Sequence, residues 1–312
     1  MSQRFRWTWW PATRVRCSRT RSTSGFTGRE RLIGRIYDFL AGSPCGYVWV
    51  EADAGLGKTA LVAHLARERD WICHFSRYTE GRSVRAGLQN LAAQLVVRHE
   101  LWKLAPGRLL PDWMCTPAGF ERLLVAAADQ GDKVVLLVDV ADEAETEPGA
   151  QPWGLPTHLP AGVFVVGTYR TGSPPARCAA PRAVLRVSAQ DEDNLHDMRA
   201  HLREHAPAGV HVEDLAARCG GVWVYLRYVL DEIRLGLRRP DDLGDLPGDL
   251  RSFYLAHLGR WREHYHWQGT VLPLVSTLAA AEEALPLDSS PACPGRTSAW
   301  WSSGASAVSD RS

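Results

Sequence analysis

The stretch that decides the fold covers residues 46–59 and consists of GYVWVEADAGLGKT. Its first part, Gly46–Glu51, is β-rich, and the alanine- and leucine-rich segment Thr59–Arg69 predicts a helix. The residues between them, Ala52–Thr59, fit the phosphate-binding loop pattern G-x-x-x-x-G-K-[ST], with alanine in place of the first glycine. Alanine is small enough for the same turn. A strand, a glycine loop and a helix in this order therefore predict a site for a polyphosphate.

Each part of this loop has a physical role in binding phosphate. A chain that wraps a polyphosphate turns its N–H groups inward, which requires small residues such as Gly55 and Gly57. The N-terminus of the following helix adds the positive end of its dipole. We expect Lys58 to reach the β- and γ-phosphate oxygens and the Thr59 hydroxyl to ligate Mg²⁺. The predicted nucleotide-binding residues of the loop are Ala52, Asp53, Ala54, Gly55, Leu56, Gly57, Lys58 and Thr59.

A second motif follows the strongest strand of the sequence. Lys133–Asp139 is apolar on both faces, as a central parallel strand requires, and leads into DVADE at residues 139–143. We expect Asp139 to hold the Mg²⁺ hydration shell, and Asp142 and Glu143 to orient or polarise the attacking water. Clustered acids after a strand are usually a solvated loop, but a glycine loop at the same sheet edge favours the catalytic interpretation.

Two shorter segments fit the same site. Arg170 follows the strand Val163–Thr168, so its guanidinium is predicted to sense the γ-phosphate; the alternative is a surface arginine. The segment Gly25–Glu30, GFTGRE, precedes the first helix. It either supplies Gly28 and Arg29 to an adenine pocket or simply starts that helix, with an acid near the positive end of the dipole.

The order of the elements predicts the fold class. As far as Val187, strands alternate with helices through short loops, which indicates an α/β fold with a parallel sheet and helices on both faces. After Ser188 only helices are predicted, over Asp191–His205, Val212–Cys219, Val222–Leu235 and Leu250–Arg262. We therefore expect a P-loop domain over residues 25–189 and a helical domain over residues 190–262. Residues 1–24 form a basic leader and residues 288–312 a serine-rich tail, both predicted to be disordered.

Composition argues against several classes of protein. The 312 residues contain 36 Lys+Arg and 35 Asp+Glu, a formal net charge of +1, which argues against a protein that coats nucleic acid or anionic lipid. No apolar run approaches the ~18–20 residues of a membrane span, and scattered cysteines without a CxxC pair predict neither a disulfide framework nor a zinc site. A cytoplasmic protein without a membrane partner is therefore expected. The arginine- and tryptophan-rich leader is either disordered or an arm that contacts phosphates or a partner. Nucleic acid is therefore a candidate partner of the leader only.

Lysine is rare in this chain, and its placement is informative. Only Lys58, Lys103 and Lys133 occur among the 36 basic residues. A compact ammonium fits beneath the β- and γ-phosphates where a planar guanidinium fits poorly. The presence of one of three lysines at that position of the loop supports the phosphate-binding interpretation.

Taken together, the segments GFTGRE, ADAGLGKT, VVLLVDVADE and GTYR resemble those of the STAND class of signal-transduction ATPases, and among these the NACHT-like ATPases of bacteria. The acids after Asp139, D-x-x-D-E, are the most family-specific element. Cys219–Ile233 and Leu246–Leu258 resemble the helical region and the approach to the winged helix of that family. The resemblance covers about Phe26 to Leu287 and implies a P-loop NTPase domain of the ASCE type, a helical domain and a partial winged-helix segment over residues 263–287.

The resemblance implies an ATP-controlled switch that uses ATP, ADP and Mg²⁺, hydrolyses ATP slowly, forms a homo-oligomer on activation and acts on a protein effector. Two departures from the family matter: Val140 stands where a small residue is preferred, and the winged helix is cut short near Leu287. The second departure favours a truncated or frameshifted gene product. Two alternatives stay open, a nucleotide-binding scaffold that does not hydrolyse and a DNA-associated AAA-type ATPase of the replication-initiator kind.

Overall fold

The computed structural model describes residues 26–76, 79–147, 149–263 and 266–280. The predicted leader and tail, and the predicted end of the winged-helix segment, lie outside these residues. The chain divides into two compact units, Met1–Leu250 and Arg251–Ser312.

The regular elements follow the predicted order closely. They are α1 (Glu30–Gly42), β1 (Gly46–Ala52), α2 (Lys58–Arg69), β2 (Ile72–Phe75), α3 (Thr79–Arg82), α4 (Val84–Arg98), α5 (Pro117–Ala128), β3 (Val134–Asp139), β4 (Val163–Tyr169), β5 (Arg182–Val187), α6 (Glu192–His205), α7 (Val212–Cys219), α8 (Trp223–Arg234), α9 (Leu250–Arg262) and α10 (Leu272–Ala280). The sequence predicts a helix over Phe120–Ala128, but α5 begins three residues earlier, because Thr116 caps it by accepting a hydrogen bond from the Gly119 N–H and Pro117 occupies the first turn.

The five strands form one sheet in the order β2-β3-β4-β1-β5, and every neighbouring pair is parallel. Strand β4 lies between β1, which precedes the glycine loop, and β3, which precedes the acids. The chain is thus an α/β protein with a five-stranded parallel sheet, which confirms the predicted fold class. In a parallel sheet all carboxyl ends lie at one edge, so Ala52, Asp139 and Tyr169 end their strands on the same side.

Helices cover both faces of the sheet, and this is why β3 is buried along its whole length. Alternate residues of β3 point to opposite faces. Leu136 and Val138 pack in one apolar cluster with residues of α4 and α5, whereas Val135 and Leu137 pack in the other with residues of α1 and α2. The continuous apolar pattern of this strand therefore reflects two cores.

Helices α6, α7 and α8 follow the sheet and belong to the same compact unit as it. The predicted boundary of a separate helical domain near residue 190 stays a prediction. In the second unit, a π-helical turn over Trp267–Val271 leads into α10.

Two local properties complete the description of the fold. Across the ranges given above, no helix is both long and apolar enough to cross a membrane. Cys45, Cys115, Cys178 and Cys219 are free thiols, whereas Cys73 on β2 is disulfide-bonded, a bond that the cysteine spacing does not predict.

Candidate functional site

The glycine loop leaves the sheet at the end of β1 and leads directly into α2. Gly55 and Gly57 have φ angles of 84° and 85°, in the left-handed region where a side chain is strained. Gly57 is the N-cap of α2, and within the described part of the chain no side chain caps that helix. The glycine turn therefore lies next to the uncapped N-terminus of α2, an arrangement that is typical of phosphate-binding sites.

Lys58 lies within this loop and is half-buried. Its Nζ donates hydrogen bonds to the carbonyl oxygens of Ala52 (2.6 Å) and Asp53 (2.9 Å). Burial lowers the pKa of Lys58, and the negative charges of Asp142 and Asp139 oppose that shift. The ammonium is therefore held over the loop and close to the acids, in position to exchange the two carbonyls for phosphate oxygens.

Asp139 ends β3 and is almost completely buried. The Thr168 hydroxyl donates a hydrogen bond to Asp139 Oδ1 (2.8 Å). Burial raises the pKa of Asp139, while the polar side chains of Thr59 and Thr168 and the Lys58 charge oppose the shift. The structure thus brings together the two residues predicted to hold Mg²⁺, Thr59 and Asp139.

Thr168 was missed by sequence reasoning. It is fully buried near the end of β4, and its hydroxyl accepts from the Val140 N–H (2.8 Å) while it donates to Asp139. One side chain therefore fixes both the buried carboxylate and the start of the acidic turn. A threonine near the end of the otherwise buried, mostly apolar strand VFVVGTY is the pattern that could have identified it.

The acids after β3 lie in a short 3₁₀ turn, Ala141–Glu143, and both contact Arg170. Asp142 Oδ1 accepts from the Arg170 backbone N–H (3.0 Å), and Glu143 Oε1 accepts from Arg170 Nη2 (2.7 Å). Glu143 Oε2 also accepts a longer hydrogen bond (3.4 Å) from Arg82, at the end of α3. The structure therefore places Asp142, Glu143 and Arg170 in one cluster and adds Arg82, which the sequence did not indicate.

Val140 adopts a left-handed conformation, with φ 55° and ψ 60°. A β-branched residue in this region is strained, and strain of this kind is concentrated at functional sites. The sequence predicts that Val140 crowds the turn that carries Asp142 and Glu143. In the structure Val140 precedes that turn directly and is held in place by Thr168.

Gly28 and Arg29 lie between the loop and α6. The Arg29 N–H donates to Asp197 Oδ2 (2.8 Å), and its Nη2 donates to the Leu56 carbonyl (3.0 Å) and to Asn194 Oδ1 (2.7 Å). A Cβ added to Gly28 would lie 2.8 Å from the Asp197 side chain, so this close approach requires glycine. Burial lowers the pKa of Arg29. These contacts place the predicted nucleotide-binding arginine behind the loop, where it ties Leu56 to the helices.

The start of α8 also contacts the loop. The Val224 N–H donates to the Gly55 carbonyl (3.1 Å), and a Cβ on Gly55 would lie 2.6 Å from Val224 Cγ1. Trp223 Nε1 donates to Asn194 Oδ1 (2.8 Å), the oxygen that also binds Arg29. Sequence reasoning did not predict these contacts, which join the glycine loop to the helices that follow the sheet.

The residues present fit a nucleotide with Mg²⁺. Gly55 and Gly57 turn the loop through left-handed backbone angles at the N-terminus of α2, and Thr59 and Asp139 supply the hard oxygen donors that Mg²⁺ prefers. Among the described residues, no group of three or more His, Cys, Asp or Glu is arranged to hold a metal. Mg²⁺ at nucleotide sites is usually held by one or two protein oxygens together with the phosphates, so this donor set suits it.

Comparison with known proteins gives no family. No protein-family model matches the chain, and no curated protein matches it. Among solved structures, the chain is similar to the Walker-type ATPase PABY2304 of Pyrococcus abyssi, with 12% identity over 85% of this chain and 87% of that chain and a TM-score of 0.47. It is also similar to the RuvB Holliday junction branch migration motor of Thermotoga maritima, with 14% identity over 80% of this chain and 75% of that chain and a TM-score of 0.38. A point mutant of that motor gives 12% identity, the same coverage and a TM-score of 0.36. We transfer no function from similarities at this level, so the proposal below rests on the geometry of the site.

Proposed function

We propose that this chain binds ATP and ADP with Mg²⁺ at the glycine loop and hydrolyses ATP slowly, as a nucleotide-controlled switch of the STAND, NACHT-like kind. The observation that supports this proposal most strongly is the convergence of three groups at one sheet edge. They are the loop with Lys58, the neighbouring oxygen donors Thr59 and Asp139, and the cluster of Asp142, Glu143 and Arg170.

In the proposed reaction each group has a distinct task. Lys58 and the N-terminus of α2 neutralise the negative charge of the phosphates. Thr59 and Asp139 hold Mg²⁺, which when bound stabilises charge that develops on the transferred phosphoryl group. Glu143 accepts the proton of the attacking water, and Arg170 leaves Glu143 to contact the γ-phosphate.

The contacts of the helices with the loop support the switch part of the proposal. Val224 holds the Gly55 carbonyl and Arg29 holds the Leu56 carbonyl, so a rearrangement of the loop on nucleotide binding would disturb both. A ligand shifts a conformational equilibrium when it binds one state better than the other. ATP and ADP would therefore favour different positions of α8. Assembly into a homo-oligomer, a protein effector and a cytoplasmic location belong to the same proposal.

Thermal unfolding with and without Mg²⁺-ATP tests nucleotide binding. At free ligand concentrations of about 100 to 1,000 times Kd, we expect stabilisation of roughly 3–4 kcal/mol. Lys58→Ala should lose this stabilisation, because it removes the ammonium that the loop holds at the Ala52 and Asp53 carbonyls. Lys103→Ala is the matched control, since it removes an exposed lysine outside the loop. Absence of protection in the wild type would refute the proposed function.

A non-hydrolysing scaffold is the second candidate, and two observations favour it. Val140 strains the acidic turn, and both carboxylate oxygens of Glu143 are already paired with arginines. Release of phosphate from ATP decides between the two candidates. Hydrolysis that Glu143→Gln abolishes, with ATP protection retained, supports the switch ATPase; protection without any hydrolysis in the wild type supports the scaffold.

A further inference from the structure

Glu143 lies between two arginines that occupy opposite sides of it. Arg170 follows β4, and β4 neighbours β1, the strand that leads into the glycine loop. Arg82 ends α3, which follows β2, and β2 is the edge strand on the other side of β3. Of the two, Arg170 therefore lies on the phosphate side of Glu143, and its charge acts directly on Lys58. Arg82 lies on the side away from the loop.

Arg82 is attached to the acidic turn by its backbone as well as its side chain. Its carbonyl accepts a hydrogen bond from the Glu145 N–H (2.8 Å), two residues after Glu143. Its side chain is 36% exposed, compared with 55% for Arg170, so it is the more enclosed of the two arginines. The hydrogen bond to its carbonyl holds the Arg82 backbone beside the acidic turn, which favours a persistent ion pair between the Arg82 side chain and Glu143.

The hydrogen bonds of Arg82 to the described residues are incomplete. Its Nη2 is 3.4 Å from Glu143 Oε2, at the long end for a hydrogen bond, and its Nε is buried without a hydrogen-bond partner among the described residues. A buried donor without a partner costs free energy. A guanidinium can bind a carboxylate through Nε and Nη2 together, and such a two-point pair would satisfy the buried donor.

We propose that Arg82 is a positioning residue for Glu143. When a nucleoside triphosphate binds, Arg170 exchanges Glu143 for the γ-phosphate, and Arg82 takes the released carboxylate through Nε and Nη2. Each oxygen of Glu143 then keeps a lone pair for the attacking water. The inference rests on the proposed function and adds one residue to it, since Arg82 holds the Glu143 carboxylate after Arg170 has moved to the γ-phosphate.

Two double-mutant cycles by thermal unfolding test this exchange. One combines Arg82→Gln with Glu143→Gln, the other Arg170→Gln with Glu143→Gln, each with and without Mg²⁺ and a non-hydrolysable ATP analogue. We expect the coupling of Arg170 with Glu143 to disappear with the analogue and the coupling of Arg82 with Glu143 to remain or increase. Loss of the second coupling, or persistence of the first, overturns the proposal. Because neither cycle requires turnover, a failure here differs from absence of ATP protection, which refutes the proposed function itself.

Kinetics separates a positioning role from a purely structural one. Arg82→Gln should lower kcat by about 10- to 100-fold with KM unchanged, because the base is misplaced while phosphate binding stays intact. Arg82→Lys should restore part of kcat, since it keeps the charge but not the two-point geometry. Arg85→Gln is the matched control, because it removes an arginine of α4 that pairs with Asp112 (2.8 Å) and not with Glu143. A kcat for Arg82→Gln equal to that of Arg85→Gln overturns the proposal.

Discussion

Replacement of Thr168 by valine should destabilise the protein strongly, although the two side chains have nearly the same shape. Thr168 is fully buried and its hydroxyl forms two hydrogen bonds of 2.8 Å. The bond to the Asp139 carboxylate is charge-assisted and is worth about 1.5–3 kcal/mol, and the bond from the Val140 N–H about 0.5–1.5 kcal/mol. The expected loss is therefore about 2–4 kcal/mol in the free energy of unfolding.

Urea unfolding at neutral pH measures this loss directly, and a thermal melt should show a decrease in Tm of about 4–8 °C. Thr168→Ser is the control, because it keeps the hydroxyl and removes a buried methyl group, at a cost of about 1 kcal/mol. A Thr168→Val protein as stable as the wild type would refute the reasoning. So would a serine variant that is destabilised as much as the valine variant.

The loss should also depend on pH. The Thr168 hydroxyl favours the ionised form of Asp139, so its removal raises the pKa of this carboxyl further above its ordinary value of 3.8. In the valine variant the folded state then binds more protons than the folded wild type over the interval between the two pKa values. By linkage, the stability difference between wild type and variant increases as pH rises through this interval and narrows in acid.

Three further predictions concern the loop and its surroundings. Burial raises the pKa of Asp139, so without nucleotide the free energy of unfolding should fall as pH rises from 3.8 through the raised pKa. Asp139→Asn should remove this pH dependence. In thermal melts it should also remove the Mg²⁺-dependent protection by ATP. Gly57→Ala should cost about 1–2 kcal/mol in urea unfolding from left-handed strain alone, whereas Gly55→Ala should cost clearly more, because its Cβ would also lie 2.6 Å from Val224; equal losses would contradict this. Arg29→Gln should lose about 2 kcal/mol or more, since it leaves the Leu56 carbonyl and Asn194 without a buried guanidinium; a loss below 0.5 kcal/mol would contradict this.

Much of the fold could be predicted from sequence because its patterns are local. The apolar run of β3 indicates a strand buried on two faces, and the glycine loop between β1 and α2 indicates how the chain leaves the sheet. Lys58 follows from the loop pattern alone, because its role depends on neighbours a few residues away. The end of α5 nearest Thr116 was placed too late, because the cap and Pro117 lie outside the apolar repeat that predicts the helix.

The residues missed by sequence reasoning act across large separations along the chain. Thr168 reaches Asp139 over 29 residues and Arg82 reaches Glu143 over 61, and although Arg29 was predicted, its contact with Asp197, over 168 residues, was not. No spacing rule links such positions, because the strand order β2-β3-β4-β1-β5 and the contacts of α6 with Arg29 bring them together.

The sequence by itself determined the α/β class, the glycine loop between β1 and α2 and the acids that follow β3, since each depends on residues adjacent in the chain. Only the tertiary structure decided how these parts are held. It placed a buried threonine on Asp139, an arginine on each side of Glu143, and the first turn of α8 on the Gly55 carbonyl. Side-chain hydrogen bonds form between groups that folding brings within about 3 Å, and that proximity is a property of the assembled sheet and helices.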